Sequence, residues 1–178
     1  MTGRPLRLAV LATLLFLPAL PASAPAQTII STVAGGGPDH MPATAADLHQ
    51  PWGVAIDASG NYFIISNARV FRVDTTGLLT VVAGTGLAGF SGDGGAATSA
   101  SFYYPAGVAV DGFGNLFIAD EGNGRIRRVD AATGVITTVA GNGTSDGFTG
   151  DGGPGTSASL WTPTGVAVDG SGNLIHRG

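Results

Sequence analysis

The chain has 178 residues, and its 30 glycines and 10 prolines accompany an apolar fraction of 44% and a charged fraction of only 11%. This composition can bury a core and is typical of short strands joined by many turns, so it argues against a disordered chain and a helical bundle. The sequence contains no lysine and has a formal charge of −4, which excludes the basic surface of a nucleic-acid-binding protein.

The N-terminus has the features of an export signal. Arg4 and Arg7 precede an apolar stretch at 8–17, which is too short to span a bilayer but has the length of a signal-peptide core. Cleavage after Ala26 is favoured over cleavage after Ala24, because Pro25 would follow the latter bond directly. The sequence therefore predicts a signal peptide at 1–26 and a secreted or periplasmic product. No other stretch could cross a membrane, and the lack of cysteine excludes disulfides and lipid attachment at a processed cysteine.

Three markers recur in a fixed order along the rest of the chain. They are Gly-Val-Ala-Ile/Val-Asp followed by a turn ending in Gly-Asn, then Val-Ala-Gly, then Gly-Asp-Gly-Gly. The first marker begins at 53, 107 and 165, the second at 33, 82 and 139, and the third at 92 and 150. Such self-similarity at a long period shows that the chain is a tandem repeat.

Each repeat unit divides into four short strands. In the middle copy the apolar or alternating runs are 107–111, 116–119, 125–130 and 135–140, separated by turns rich in Gly, Asp and Asn. Four strands per unit and a period above ~40 residues are typical of propeller blades.

The predicted fold is accordingly all-β, a partial β-propeller of about two and a half four-stranded antiparallel blades after the signal peptide. The predicted propeller domain covers 27–178, with an isolated strand at 28–34, blades at 53–83 and 107–140, and the start of a third at 165–175. Since propellers usually need ~4–8 blades to close a ring, open blade edges and self-association through them are expected.

One long motif resembles a known family. Residues 107–130 read G-V-A-V-D-x-x-G-N-L-F-I-A-D-x-G-N-x-R-I-R-x-V-D, which resembles the NHL-repeat β-propeller family, and the glycine-rich linker 140–154 is similar to that of its secreted bacterial branch. The resemblance extends over 28–175 and implies an N-terminal propeller fragment. Related propellers include amidating lyases and lactonases that use a metal in the central channel, so the resemblance implies the fold more specifically than the function.

Long linkers and short turns define the predicted binding face. Strand alternation is expected to place linkers 84–105 and 141–163 on the same face as the turn 120–124, and long loops on a rigid scaffold commonly carry binding. The acidic and amide candidates for ligand binding on this face are Asp93, Asp120, Glu121, Asn123 and Asp151. The alternative is that these side chains only satisfy turn geometry. The predicted ligand is a protein, peptide or carbohydrate.

Structural roles are predicted for a second group of polar residues. The turns that begin at Asp57, Asp111 and Asp169 match calcium-binding loops only loosely and are better explained as hairpin turns with a glycine at positive φ. Arg125 is expected to form an ion pair with Asp120 that ties neighbouring blades together.

Aromatic and histidine residues are further candidates for ligand binding and catalysis. The residues that precede the blade prolines could line a sugar or peptide groove, although packing between blades is favoured; they are Phe102, Tyr103, Tyr104, Leu160 and Trp161. The three histidines, His40, His49 and His176, have no arrangement of metal or triad partners, and no cofactor or metal site is predicted.

The function predicted from the sequence is that of an exported, non-catalytic propeller segment that acts as a binding or interaction scaffold. The alternative is a fragment of a metal-dependent propeller enzyme, a lyase or lactonase, with its catalytic residues outside this chain. Residues 175–178 depart from the repeat, which would continue Phe-Ile-Ala-Asp as at 117–120. They are therefore expected to be a frameshifted or truncated tail, with further blades encoded downstream.

Overall fold

The computed structural model describes residues 39–144 and 147–178, and these residues form strands joined by tight turns. The predicted signal peptide and the isolated strand at 28–34 lie outside the described residues. The part of the chain that is described contains no helix long and apolar enough to span a membrane. Its helical content consists of single 3-10 turns at Ala43–Ala45, Ala97–Ser99, Glu121–Asn123 and Gly155–Ser157.

Eleven strands of the described residues are divided among three antiparallel sheets. Blade 1 has the strand order β2-β3-β4-β5 with the short β1 on its outer edge, blade 2 has the order β6-β7-β8-β9, and the third sheet pairs β10 with β11. The strands are β1 Met41–Pro42, β2 Pro51–Ile56, β3 Tyr62–Ser66, β4 Arg69–Val73, β5 Leu78–Ala83, β6 Pro105–Val110, β7 Leu116–Asp120, β8 Arg125–Val129, β9 Ile136–Ala140, β10 Gly165–Val168 and β11 Leu174–Arg177.

The innermost strand of each sheet lies against that of the next sheet, and glycine makes this approach possible. A Cβ atom on Gly107 would lie 2.9 Å from the Cα of Gly165, and one on Gly53 would lie 2.7 Å from the carbonyl oxygen of Ala106. Any larger residue would push the strands apart. This close approach explains why the first repeat marker begins with glycine.

Apolar side chains fill the space between the sheets. Between blades 1 and 2, Phe63 and Ile65 pack with Val108 and Ile118, and Phe102 of the intervening linker is fully buried among them. Between blade 2 and the third sheet, Leu160 of the next linker is buried with Phe117, Ala119 and Ile126. Each linker therefore contributes one large apolar side chain to the interface that it crosses.

The glycine-rich linkers also extend the outer edges of the sheets. The Gly94 amide donates to the Ile136 carbonyl at 2.8 Å, and the Ile136 amide donates to the Gly95 carbonyl at 3.0 Å, so the linker before blade 2 runs along the outer strand of that blade. β1 pairs with β5 of blade 1 in the same way. The predicted all-β fold, a partial propeller of four-stranded antiparallel blades, is confirmed.

Candidate binding site

The linker before blade 2 meets the turn between β7 and β8 on one face of the molecule. The Asn123 side-chain amide donates to the Gly89 carbonyl at 2.9 Å, and the Gly122 amide donates to the Tyr103 carbonyl at 2.8 Å. The two segments that the sequence placed on a common face are thus in direct contact.

Asp120 lies beneath this face, where its side chain is completely buried. Its carboxylate accepts hydrogen bonds from the Tyr103 amide at 2.8 Å and from the Asn123 side chain at 2.8 Å, and Arg127 Nη1 lies 3.3 Å from Oδ2. Burial raises the pKa of Asp120, and the hydrogen bonds from Asn123 and Tyr103 and the charge of Arg127 oppose that rise. Asp120 therefore faces protein groups and not solvent.

Asp93 of the Gly-Asp-Gly-Gly motif binds the other side of the same guanidinium. Its Oδ1 accepts from Arg127 Nε at 3.1 Å and Nη2 at 2.7 Å, and its Oδ2 accepts from the Thr138 hydroxyl at 2.7 Å. The rings of Phe90 and Phe102 lie 4.8 and 5.6 Å from the Arg127 guanidinium carbon. We call Asp93, Arg127 and Asp120 the arginine latch, because a buried arginine fastens the linker to blade 2.

The latch and the motif occur together along the chain. In blade 1 the position of Arg127 is occupied by Phe71, and the linker at 35–51 has no Gly-Asp-Gly-Gly. Arg127 and the motif are therefore both present for blade 2 and both absent for blade 1. The second copy of the motif carries Asp151, which is exposed.

The predicted ion pair between Arg125 and Asp120 is wrong, since Arg127 fills the buried position beside Asp120. Arg125 instead donates to the carbonyls of Asn123 and Asn142, both at 2.8 Å, and its guanidinium stacks on Phe90 at 3.9 Å. The equivalent Arg69 donates to the Thr85 carbonyl at 2.6 Å. Arg69 and Arg125 therefore attach each blade to the following linker through hydrogen bonds to backbone carbonyl oxygens.

The residues predicted to bind ligand thus occupy different environments. Asp93, Asp120 and Asn123 are engaged within the protein, Glu121 is partly exposed, and Asp151 lies in the exposed part of the next linker. A ligand-binding role for them stays a prediction, and Glu121 borders a cavity between blades 1 and 2.

The turns that begin at Asp57, Asp111 and Asp169 join the first and second strands of the three sheets. They lie at the strand ends opposite to the turn between β7 and β8. Asp57 Oδ1 accepts from the amides of Ser59 and Asn61, both at 2.9 Å, and its Oδ2 accepts from the Asn61 side chain at 2.6 Å, while Gly60 has φ +86°. The turns that begin at Asp111 and Asp169 repeat this pattern. The carboxylates thus complete hairpin turns.

These turns make stability depend on pH. Burial raises the pKa of Asp57 and Asp111, but hydrogen bonds from Asn61 and Asn115 outweigh it, so both pKa values lie below the ordinary range. The side chain and backbone of Asn173 lower the pKa of Asp169. A depressed pKa in the folded chain adds stability above the unfolded pKa of about 3.9, and that stability is lost as the pH falls through the folded value.

We therefore expect the melting temperature to fall as the pH is lowered below about 4, and to fall less steeply in the Asp111→Asn variant. The raised pKa of Asp120 favours its protonated carboxyl in the folded chain and so adds stability at low pH. Because Asp120 is present in both proteins, the difference between their pH profiles reports on the Asp111 turn. Circular dichroism melts between neutral and strongly acidic pH measure this. Identical pH profiles for the two proteins would contradict it.

A cleft opens between blades 1 and 2 on the face where the linker before blade 2 meets the turn between β7 and β8. Its volume is about 560 Å³, and we call it the interblade cleft. The side chains that line it include Gln50, Trp52, Asn67, Arg69, Tyr103, Tyr104 and Glu121. Trp52 is 72% exposed and Tyr104 is 68% exposed, although both are large apolar side chains.

The cleft exists because one turn of blade 1 is short. In blade 2 the turn Glu121–Asn123 brings Gly122 directly onto the Tyr103 ring. In blade 1 the corresponding turn, between β3 and β4, has only the two residues 67–68. The shorter turn leaves open the space beside Tyr103 and Tyr104 of the linker before blade 2. The sequence shows this two-residue difference, and it was the available sign of a cavity.

Several residues with left-handed backbone line the cleft. Six non-glycine residues of the described part have positive φ, and four of them line the cleft, namely Gln50 (50°), Asn67 (48°), Ala68 (54°) and Tyr104 (48°). A left-handed hairpin turn explains 67–68. Gln50 and Tyr104 each precede the proline that begins an inner strand, where a left-handed residue is unusual. Thr162 has the same conformation (φ 44°) before Pro163, outside the cleft, so this backbone recurs with the repeat.

Within residues 39–144 and 147–178, no three His, Cys, Asp or Glu side chains are grouped so that they could hold a metal ion.

Known proteins share this architecture. A family model for the teneurin NHL domain matches residues 81–149. A protein of unknown function from Bacteroides thetaiotaomicron VPI-5482 has a similar solved structure, with a TM-score of 0.60 and 21% identity over 74% of this chain and 34% of that one. No curated protein matches the chain.

Two further solved structures are auxiliary nutrient binding proteins. The one from Bacteroides ovatus ATCC 8483 has a TM-score of 0.55 and 22% identity, covering 73% of this chain and 34% of that one. The one from Bacteroides thetaiotaomicron VPI-5482 has a TM-score of 0.52 and 23% identity, covering 66% and 32%. The chain spans about a third of the length of these structures, and at such identity the likeness shows the fold.

The stacked four-stranded sheets define the chain as a β-propeller repeat protein. Its repeat motif at 107–130 resembles the NHL repeat, and the match of the teneurin NHL domain model at 81–149 supports the NHL-repeat β-propeller fragment that the sequence predicted.

Proposed function

We propose that the chain is an exported binding scaffold and that its ligand lies in the interblade cleft. The observation that carries this proposal is that two large aromatic side chains in one cavity, Trp52 and Tyr104, are 72% and 68% exposed. Its volume of about 560 Å³ lies within the range of small-molecule sites.

The energetics support a binding role for the aromatic side chains. Exposed Trp and Tyr side chains forgo the stabilisation of burial, about 1.5–3 kcal/mol for a large apolar side chain. Trp52 is exposed where the equivalent residue of blade 2, Ala106, is small. A ligand that covers Trp52 would recover part of that stabilisation on binding.

The structural neighbours suggest the kind of ligand. Two proteins of the same fold are auxiliary nutrient binding proteins. By analogy with them, we propose that this chain captures a small nutrient solute outside the cytoplasm, in a secreted or periplasmic location.

Export is supported by the N-terminal sequence. Arg4 and Arg7, the apolar run 8–17 and the small residues up to Ala26 have the order of a signal peptide. N-terminal sequencing of the exported protein is expected to begin at Gln27. An N-terminus at Met1 in the exported fraction would contradict cleavage.

Closing the cleft tests the binding proposal. We expect that replacing Asn67 and Ala68 with the blade 2 turn, Glu121–Gly124, abolishes binding while the fold is kept, because the longer turn fills the space above the linker. The measurement is the ligand-induced rise in melting temperature with a panel of amino acids, dipeptides, nucleosides and neutral oligosaccharides. At least one solute is expected to stabilise the native chain.

A matched exchange on the opposite face controls for the graft. Replacing Ala58 and Ser59 with the blade 2 residues Gly112 and Phe113 changes a turn of equal length away from the cleft. This variant is expected to bind like the native chain. The proposal fails if no solute stabilises the native chain, or if the grafted chain binds as well as the native one.

A further inference from the structure

We infer that the interblade cleft binds a neutral oligosaccharide; this inference names the ligand class and rests on the proposed function. It is carried by the side chains that line the cleft, which combine flat apolar faces with groups that pair with hydroxyls.

The aromatic side chains provide the apolar faces. The rings of Tyr103 and Tyr104 have centroids 4.5 Å apart and planes inclined at 44°, and the Trp52 ring lines the same cleft. Aromatic faces carry negative partial charge. The C–H hydrogens on the flat side of a sugar ring carry small positive charge, so the exposed rings of Trp52 and Tyr104 offer surfaces on which a sugar can stack.

The polar side chains suit hydroxyl groups. Gln50 and Asn67 each offer an amide donor and acceptor, the Glu121 carboxylate accepts, and the Arg69 guanidinium donates. These planar groups can each bind two neighbouring hydroxyls at once. One positive and one negative side chain leave the lining without net charge, which favours a neutral ligand over an anion or a cation.

A proline-rich peptide is the principal alternative, because aromatic grooves also bind polyproline helices. Proline has no backbone N–H, so such a segment presents acceptors almost exclusively. It would leave the carboxylate of Glu121 and the amide oxygens of Gln50 and Asn67 without donors. A sugar hydroxyl both donates and accepts, and satisfies all of them.

The test measures the Kd of the exported chain for named probes by isothermal titration calorimetry. The probes are maltohexaose, cellohexaose, xylohexaose, mannohexaose and laminarihexaose, with a proline-rich decapeptide and the panel of amino acids, dipeptides and nucleosides for comparison. At least one hexasaccharide is expected to bind. Trp52→Ala and Tyr104→Ala are each expected to raise its Kd about tenfold or more.

Exposed aromatic residues outside the cleft supply the controls. Trp161→Ala and Phe113→Ala remove rings that are 53% and 87% exposed, and neither lines the cleft. Both are expected to leave the Kd within about twofold of the native value. Trp52→Phe, which keeps a ring, is expected to bind more tightly than Trp52→Ala, and circular dichroism melts verify that every variant folds.

The outcomes separate the inference from the proposed function. If the hexasaccharides do not bind while the peptide or another solute does, and the cleft variants weaken that binding, the carbohydrate inference is wrong and the scaffold proposal stands. If nothing binds, both are wrong. Equal loss in the Trp161→Ala and Trp52→Ala variants would also overturn the inference, because sugar would then bind elsewhere.

Discussion

Replacing Arg127 by phenylalanine is expected to lower the free energy of unfolding by about 3–5 kcal/mol. The guanidinium is completely buried and is held by Asp120 and Asp93. Its removal leaves the buried carboxylate of Asp120 without its cation, and that carboxylate must either protonate or stay uncompensated. The linker also loses the hydrogen bonds that Asp93 accepts from Arg127, while its backbone hydrogen bonds to Ile136 remain.

Blade 1 provides the compensating change. There Phe71 and Ser66 stand at the positions of Arg127 and Asp120, and the Ser66 hydroxyl donates to the His49 carbonyl at 2.6 Å. The double variant Arg127→Phe with Asp120→Ser is therefore expected to be more stable than Arg127→Phe alone. Urea unfolding followed by circular dichroism gives both values.

A surface ion pair serves as the matched control. Arg128 and Asp130 are 2.9 Å apart, and both side chains remain about one third exposed. Arg128→Ala is expected to cost at most about 1 kcal/mol, because solvent screens exposed pairs. Equal costs for Arg127→Phe and Arg128→Ala would show that the latch contributes no more than a surface pair.

The second large effect concerns the outward face of blade 1. Val54 is 64% exposed and Ile56 is 58% exposed, whereas the equivalent Val108 of blade 2 is 8% exposed because blade 1 covers it. The chain is therefore expected to self-associate, with a mass by light scattering well above that of one chain. Val54→Thr combined with Ile56→Thr keeps β-branched residues on the strand and is expected to shift the population strongly towards monomer.

The control for this prediction is an exposed apolar residue outside the blade face. Phe113 lies in a hairpin turn and is more exposed than Val54, so Phe113→Ser removes apolar surface without altering the face. It is expected to leave the measured mass unchanged. A monodisperse native monomer with a sharp cooperative melt would contradict the prediction.

The fold could be predicted because the repeat markers report on backbone geometry. The Asp-x-x-Gly-Asn turns and the alternating strands are local features, and their recurrence predicted the four-stranded antiparallel sheets. The inner-strand glycines at 53 and 107 serve close packing between sheets, a purpose that a single sequence does not reveal.

The acidic face was predicted less well, because contacts between distant residues decide it. Asp93 and Arg127 are 34 residues apart, and strand alternation cannot show that the guanidinium lies between the linker and β7. The sequence nevertheless held a sign of the latch. Both the Gly-Asp-Gly-Gly motif and the arginine are present for blade 2, and both are missing for blade 1.

The interblade cleft was missed for a related reason. Trp52 stands on an inner strand, where burial would be expected, and its repeat equivalents are Ala106 and Thr164. The short turn at 67–68 was noticed, but only the three-dimensional arrangement shows that it opens a cavity above Trp52 and Tyr104.

The most direct test of the binding scaffold uses the two tryptophans of the chain, Trp52 in the cleft and Trp161 outside it. Their indole N–H signals can be assigned in a ¹⁵N-correlated NMR spectrum from the Trp52→Phe and Trp161→Phe variants. Titration with the tightest-binding solute of the panel is expected to shift the Trp52 signal and leave the Trp161 signal in place. A shift confined to Trp161 would contradict a binding site between blades 1 and 2.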